Sequence, residues 1–194
     1  MKILTKNQGD DQWGSARCGV PSASNFHKII TPTGLPSSQA SKYLRDLVEE
    51  RATRQPKRLP DLPALERGVR VEPEARAWFE FMEGVTVQEV GFILHDSGQY
   101  GCSPDGLVDD VGLEIKCPYD KTHYKYFLAG VLPSKYIPQV QGSMLVTGLQ
   151  AWWFMSYHPD WKSYKVLVER DDNYIKKLEQ LLNEFCEELK ESEL

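Results

Sequence analysis

The chain has no apolar stretch approaching the roughly 18 residues that a membrane span needs. Its first twenty residues, with Lys2, Lys6, Asp10, Asp11 and Arg17, contain no apolar segment of the kind a secretion signal carries. A soluble, cytoplasmic protein that makes no use of membranes is expected. Cysteine and histidine are scarce, four of each. Cys18, Cys102, Cys117 and Cys186 form no CxxC pair, and His27, His95, His123 and His158 do not stand at ligand spacing to them, so free thiols are expected and zinc is not. Repeats, low-complexity segments and linker-like stretches are also missing. The 194 residues are therefore read as one domain, 1–194, large enough to bury a core.

Positive charge is not in excess either. Of 23 Lys and Arg and 28 Asp and Glu, residues 169–194 hold four and nine, so the net charge of -5 sits in that tail and the rest balances at 19 against 19. Such a body does not hold a polyanion by bulk charge, although the run Arg51, Arg54, Lys57 and Arg58 offers one local basic stretch.

Periodicity supplies the elements. After an irregular start, 37–52 has helical spacing through Tyr43, Leu44, Leu47 and Val48, and a Pro- and Arg-containing loop is expected over 55–63. Helical spacing resumes over 65–83 through Leu65, Val69, Trp78, Phe79 and Met82, with Pro73 starting or kinking a segment and Gly84 ending it. From Val85 to Lys116 apolar and polar residues alternate as in strands. A helix over 134–147, strands over 151–157 and 164–168, and an acidic amphipathic helix over 172–190 complete the chain. That order predicts an α/β fold, a single domain with a central mixed β-sheet flanked by helices.

The chemistry concentrates in 101–118. A hairpin turning over 109–112 sets Val108 opposite Leu113 and Asp105 opposite Lys116, so that Asp105, Glu114 and Lys116 project from one sheet face while Ile115 enters the core. A cross-strand ion pair between Asp105 and Lys116, with Glu114 solvated, is one reading of the cluster. The other is a metal site, because charges beside a core persist when paired or metal-bound. Carboxylates, joined by the Ile115 carbonyl, suit Mg²⁺, with Mn²⁺ as a substitute. Lys116 would orient or deprotonate a water there, and a phosphodiester is the bond such a device cleaves.

Ser103-Pro104-Asp105 followed by Glu114-Ile115-Lys116 resembles the PD-(D/E)xK nuclease signature. Three further motifs enlarge the likeness to the lambda exonuclease-like family of viral recombinases: Trp13 to Arg17 and on to Ser24, Gly68 to Glu72 and Arg76, and Tyr136 with Gln139 and Gln141. Together they span about residues 13 to 157. The resemblance implies a restriction-endonuclease-like fold and a Mg²⁺-dependent 5′ to 3′ exonuclease acting on double-stranded DNA with 5′-phosphate ends in bacteriophage-type DNA recombination. It adds Glu72 to Asp105, Glu114 and Lys116 at the catalytic centre. Arg17, Ser24, Ser103 and Gln139 become a 5′-phosphate pocket, and Gln141 a supporting residue behind it. A homotrimer and a single-strand annealing recombinase partner are also implied. The same resemblance places duplex contacts in 35–62, where Arg45, Arg51 and Arg54 are the candidates. An endonuclease or nickase, or a non-catalytic DNA-binding subunit, are the competing functions.

Overall fold

The computed structural model describes residues 2–5, 7–57 and 62–192. Four strands form the main sheet in the order β4 (Gly106–Val108), β5 (Val111–Lys116), β6 (Ala151–Ser156) and β7 (Tyr164–Glu169). β5 and β6 run parallel and the outer pairs antiparallel, so the sheet is mixed as expected. A smaller antiparallel sheet joins β1 (Lys2–Ile3), β2 (Ile93–Leu94) and β3 (Gly101–Cys102). The helices are α1 (Asp11–Arg17), α2 (Ala40–Thr53), α3 (Pro63–Glu83), α4 (Asp120–Ala129), α5 (Ile137–Thr147) and α6 (Asp172–Glu191).

Strand alternation divides the apolar residues between two layers. Leu113, Ile115, Met155 and Tyr157 face Val71, Ala75 and Phe79 of α3. On the opposite face Trp152 joins Phe26, Val140, Met144, Leu178 and Leu182, contributed by a 3₁₀ turn (Ala23–Lys28), α5 and α6. Gly112 is needed in this packing, because a Cβ there would come within 2.3 Å of the Trp152 ring. Its bare backbone lets the indole lie flat on β5.

Several expectations change in the structure. The chain's beginning is not irregular throughout: Asp10 caps α1 by accepting from the Trp13 N–H at 2.7 Å, and the 3₁₀ turn follows. α1 is seven residues long and buries none of them, so it has no amphipathic signal to read. α4 is likewise unforeseen; it buries His123 and Tyr126 but leaves Tyr124, Phe127 and Leu128 exposed, which blurs its polar face. Over 85–92 the alternation reports burial rather than a ladder. Val87, Val90 and Phe92 are buried, while Gln88 makes one isolated bridge to Leu107. Pro73 does not start a helix: α3 runs continuously through it, and Val69, the residue whose carbonyl loses its amide partner, is exposed. The helix over 134–147 opens with a 3₁₀ turn, Ser134–Tyr136. Part of the loop over 55–63, with Arg58, lies outside the described residues.

Candidate active site

The hairpin turn is two residues shorter than expected. Val108 pairs with Val111, Leu107 with Gly112 and Gly106 with Leu113, and Asp109 takes the left-handed conformation at φ 51°. Asp105, whose N–H donates to the Leu113 carbonyl at 3.0 Å, therefore stands opposite Glu114 and not Lys116. A shift of two keeps every side chain on its face, so the grouping survives the change of register.

Glu114 is 2% exposed in the middle of a sheet, a costly place for a carboxylate. It accepts from Gln139 Nε2 at 2.6 Å, and its Oε1 also pairs with the Lys116 ammonium. Asp105 Oδ2 accepts from the Ile115 N–H at 2.6 Å. Since the N–H and C=O of a strand residue point to the same side, the Ile115 carbonyl faces the same edge as Asp105. Glu72, on α3, pairs with Arg76 one turn later at 2.8 Å; Arg76 also reaches Glu89 at 2.8 Å and donates from Nε to the Asp105 carbonyl at 3.2 Å. Arg76 thus ties α3 to the end of β4.

Electrostatics confirm that these groups share one field. Burial, then the neighbouring Asp105 charge, pushes the Glu72 carboxyl up to about 7. Glu114 is also raised to about 7, by burial first, with Lys116 opposing and Asp105 and Glu72 adding to the rise. Burial raises Asp105 against the pull of Lys116 and the Ile115 N–H. For Lys116 burial works downward, but Glu114 and Asp105 overcome it and hold the ammonium above its ordinary value. In the protein alone, Lys116 is the counter-ion of the carboxylates, with its ammonium 5.5 Å from the Tyr136 ring centre.

Among the described residues no three His, Cys, Asp or Glu side chains are grouped closely enough to hold a metal ion unaided. Each carboxylate is instead engaged by a donor of the protein: Glu114 by Lys116 and Gln139, Asp105 by a backbone N–H, Glu72 by Arg76. The oxygen-only donors Asp105, Glu114, Glu72 and the Ile115 carbonyl still match the preference of a hard divalent cation, and their mutual repulsion adds to the burial that raises Glu72 and Glu114 to about 7.

Arg17 and Ser103 both touch Trp13 of α1. The Arg17 guanidinium lies 4.1 Å from the Trp13 ring centre, and Trp13 Nε1 donates to Ser103 Oγ at 2.9 Å. Ser24 is exposed, with its hydroxyl 3.3 Å from that of Ser22. Arg17 and Ser22 line a cavity of about 470 Å³ together with Trp13, Lys28, Lys42 and Asp46. Gln139 is bonded to Glu114, which places it at the carboxylates. Gln141 serves elsewhere: its amide donates to the Glu169 carbonyl and accepts from the Asp171 N–H, both at 2.9 Å, clamping the turn between β7 and α6. Arg51 is partly structural, its Nε donating to the Gly19 carbonyl at 2.7 Å, while Lys57 pairs with Asp46. Trp13, Arg76 and Tyr136 sit in the recognised motifs, yet sequence reasoning gave them no role at the site. Arg76, four residues after Glu72, is the one whose spacing could have revealed it.

Residues 12–150 match the YqaJ-like viral recombinase domain. The chain belongs to that family. Among solved structures, the alkaline exonuclease LHK-Exo of Laribacter hongkongensis superposes with a TM-score of 0.86 at 33% identity, over 94% of this chain and 93% of that one. The same enzyme in complex with dAMP gives 0.85 at 33% identity, with the same coverage. A phage-related exonuclease from Haemophilus somnus 129PT, at 14% identity and a TM-score of 0.71 over 89% of this chain and 95% of that one, shares the fold. The putative uncharacterized protein ExoD of Escherichia coli (strain K12) is 36% identical over 73 residues, 35% of this chain and 84% of that protein. This member of the YqaJ-like viral recombinase family is a nuclease with a mixed α/β fold. No helix among its described residues is long and apolar enough to cross a membrane.

Proposed function

We propose that the protein is a Mg²⁺-dependent 5′ to 3′ exonuclease that degrades one strand of duplex DNA from a 5′-phosphorylated end to mononucleotides. The observation that carries this reading is the buried Glu114 carboxylate paired with Lys116, with Asp105 opposite it on the adjoining strand, in a chain of an exonuclease-containing family. Asp105, Glu114 and the Ile115 carbonyl would hold the cation, with Glu72 completing the set from α3. When bound, Mg²⁺, or Mn²⁺ in its place, supplies a Lewis acid and lowers the pKa of a bound water. Lys116, freed from its present partner Glu114, orients the attacking water and offsets charge as the phosphodiester breaks. Gln139 holds the Glu114 carboxylate in place for both states.

Arg17, with Ser24 and Ser103 near it, forms the proposed 5′-phosphate pocket. Its guanidinium is held by Trp13 and not by a carboxylate, so its fork stays available for a dianion. Gln139 belongs to this pocket as well, linking it to the catalytic carboxylates. Processivity would come from a ring-shaped homotrimer around the duplex, which makes a charge-neutral body workable. Leu65 and Val69, one turn apart on α3, leave exposed apolar side chains that are consistent with association. The 3′ single strand left behind would pass to a single-strand annealing recombinase.

The test is digestion, in Mg²⁺, of a linear duplex labelled in turn at each 5′ and 3′ end, with and without 5′-phosphate, beside a covalently closed circle. Release of 5′ label as mononucleotide from phosphorylated ends, with the circle intact, is expected. Nicking of the circle would instead make the protein an endonuclease, and no cleavage in Mg²⁺ or Mn²⁺ would make it a binding subunit.

A further inference from the structure

Arg67 stands in α3 five residues before Glu72, and its Nε and Nη2 are buried with no hydrogen-bond acceptor. Its guanidinium carbon lies 5.1 Å from the ring centre of Tyr119. Tyr119 is three residues beyond Lys116 and half exposed, on the short connection from β5 to α4. Arg67 is thereby pinned beside the exit of the catalytic strand.

Buried guanidinium donors without acceptors are uncommon, because each forgoes the water it left without gaining a partner. Arg76, in the same helix, shows the usual outcome, bonded to two carboxylates and a carbonyl. Arg67 has no such arrangement. What it lacks is a pair of acceptors beside the end of the strand that carries Glu114 and Lys116, and a phosphate group presents such a pair.

We propose that Arg67 is a DNA-contacting residue whose guanidinium takes a backbone phosphate of the bound strand beside the scissile bond, with Tyr119 as the platform that holds it until the strand arrives. Tyr119 is half exposed, and a rotation of the Arg67 side chain on that ring would carry the buried edge of the guanidinium to the incoming phosphate. The proposal rests on the catalytic centre assigned above, and its test does not require cleavage.

Duplex binding is measured by fluorescence anisotropy across a salt series without divalent cation, for the wild-type chain, Arg67→Gln, Arg67→Lys and Tyr119→Ala, alongside thermal unfolding of each free protein. Arg67→Gln is expected to weaken binding roughly tenfold and to reduce the slope of log K against log [salt] by about one. Arg67→Lys should keep the slope and recover part of the affinity, and Tyr119→Ala should weaken binding with the slope kept. The free Arg67→Gln protein should melt no lower than wild type, because the change removes unsatisfied donors. Unchanged affinity and slope in Arg67→Gln would overturn the proposal, and so would a lowered melting temperature, which would make Arg67 a structural residue. If the digestion experiment shows no cleavage while Arg67→Gln still loses affinity and slope, the catalytic reading fails and the phosphate contact stands.

Discussion

At the scale of single residues, the site is an arrangement of charges that would not be tolerated separately. Glu114 is buried, and only Lys116 and Gln139 make that position affordable in the protein alone. Lys116→Ala is expected to reduce cleavage by at least about a hundredfold while leaving duplex binding in place, since general acid–base and electrostatic contributions have that size. Single-turnover digestion beside a gel-shift titration measures both, and wild-type turnover in the variant would remove Lys116 from the mechanism. Arg17→Ala should erase most of the preference for 5′-phosphate over 5′-hydroxyl ends, read as the ratio of digestion rates. An unchanged ratio would remove the pocket.

The raised carboxyls also give a pH prediction. Glu72 and Glu114 titrate near 7 in the folded protein, against an ordinary value of 4.5. A carboxyl raised on folding binds its proton more tightly in the native state, so its contribution to stability falls as pH rises from about 4.5 through about 7. The raised Lys116 changes nothing in that window, because its contribution persists to well above neutrality. If Mg²⁺ binds these carboxylates as proposed, it takes the place of the lost protons, and its stabilising effect should be small at pH 5 and large at pH 8. Thermal unfolding with and without Mg²⁺ at the two pH values checks this; equal shifts would argue against the carboxylates as ligands.

At the scale of elements, β5 is the piece on which the molecule turns. Its Leu113 and Ile115 anchor it to α3, its Gly112 admits Trp152, and its Glu114 and Lys116 face the site. Gly112→Ala forces a methyl into the Trp152 ring, and a loss of about 1–3 kcal/mol is expected from overpacking. Urea denaturation of the variant measures it, and an unchanged midpoint would mean that β6 yields more readily than the packing implies. The shortened hairpin turn shows why a register error of two was harmless to the functional reading. The side-chain period of a strand is two, so Asp105 kept its face while changing its partner from Lys116 to Glu114.

At the scale of the whole molecule, two apolar layers enclose the sheet and the site opens where β4, β5 and α3 meet. Positive charge is not in excess over the chain as a whole, and Arg17, Lys28, Lys42 and Lys57 gather with Asp46 and Glu50 around the cavity beside α1. A ring-forming assembly should therefore sediment at three times the mass of the chain, and sedimentation equilibrium decides it. A stable monomer would require another source of processivity.

The sequence by itself determined the main elements and the grouping of Asp105, Glu114 and Lys116 on one face, because both follow from local periodicity and from a two-residue alternation that survives a register slip. It could not reveal α1 or α4, where little is buried on a clean face, nor that Val87, Val90 and Phe92 are buried without a ladder. Only the tertiary structure decided that Gln139 serves Glu114, that Gln141 clamps a distant turn and that Arg76 ties Glu72 to Asp105. The same holds for Arg67, whose buried Nε and Nη2 are left without an acceptor. Partners separated by dozens of residues are chosen by how the layers pack, and neither composition nor spacing along the chain carries that information.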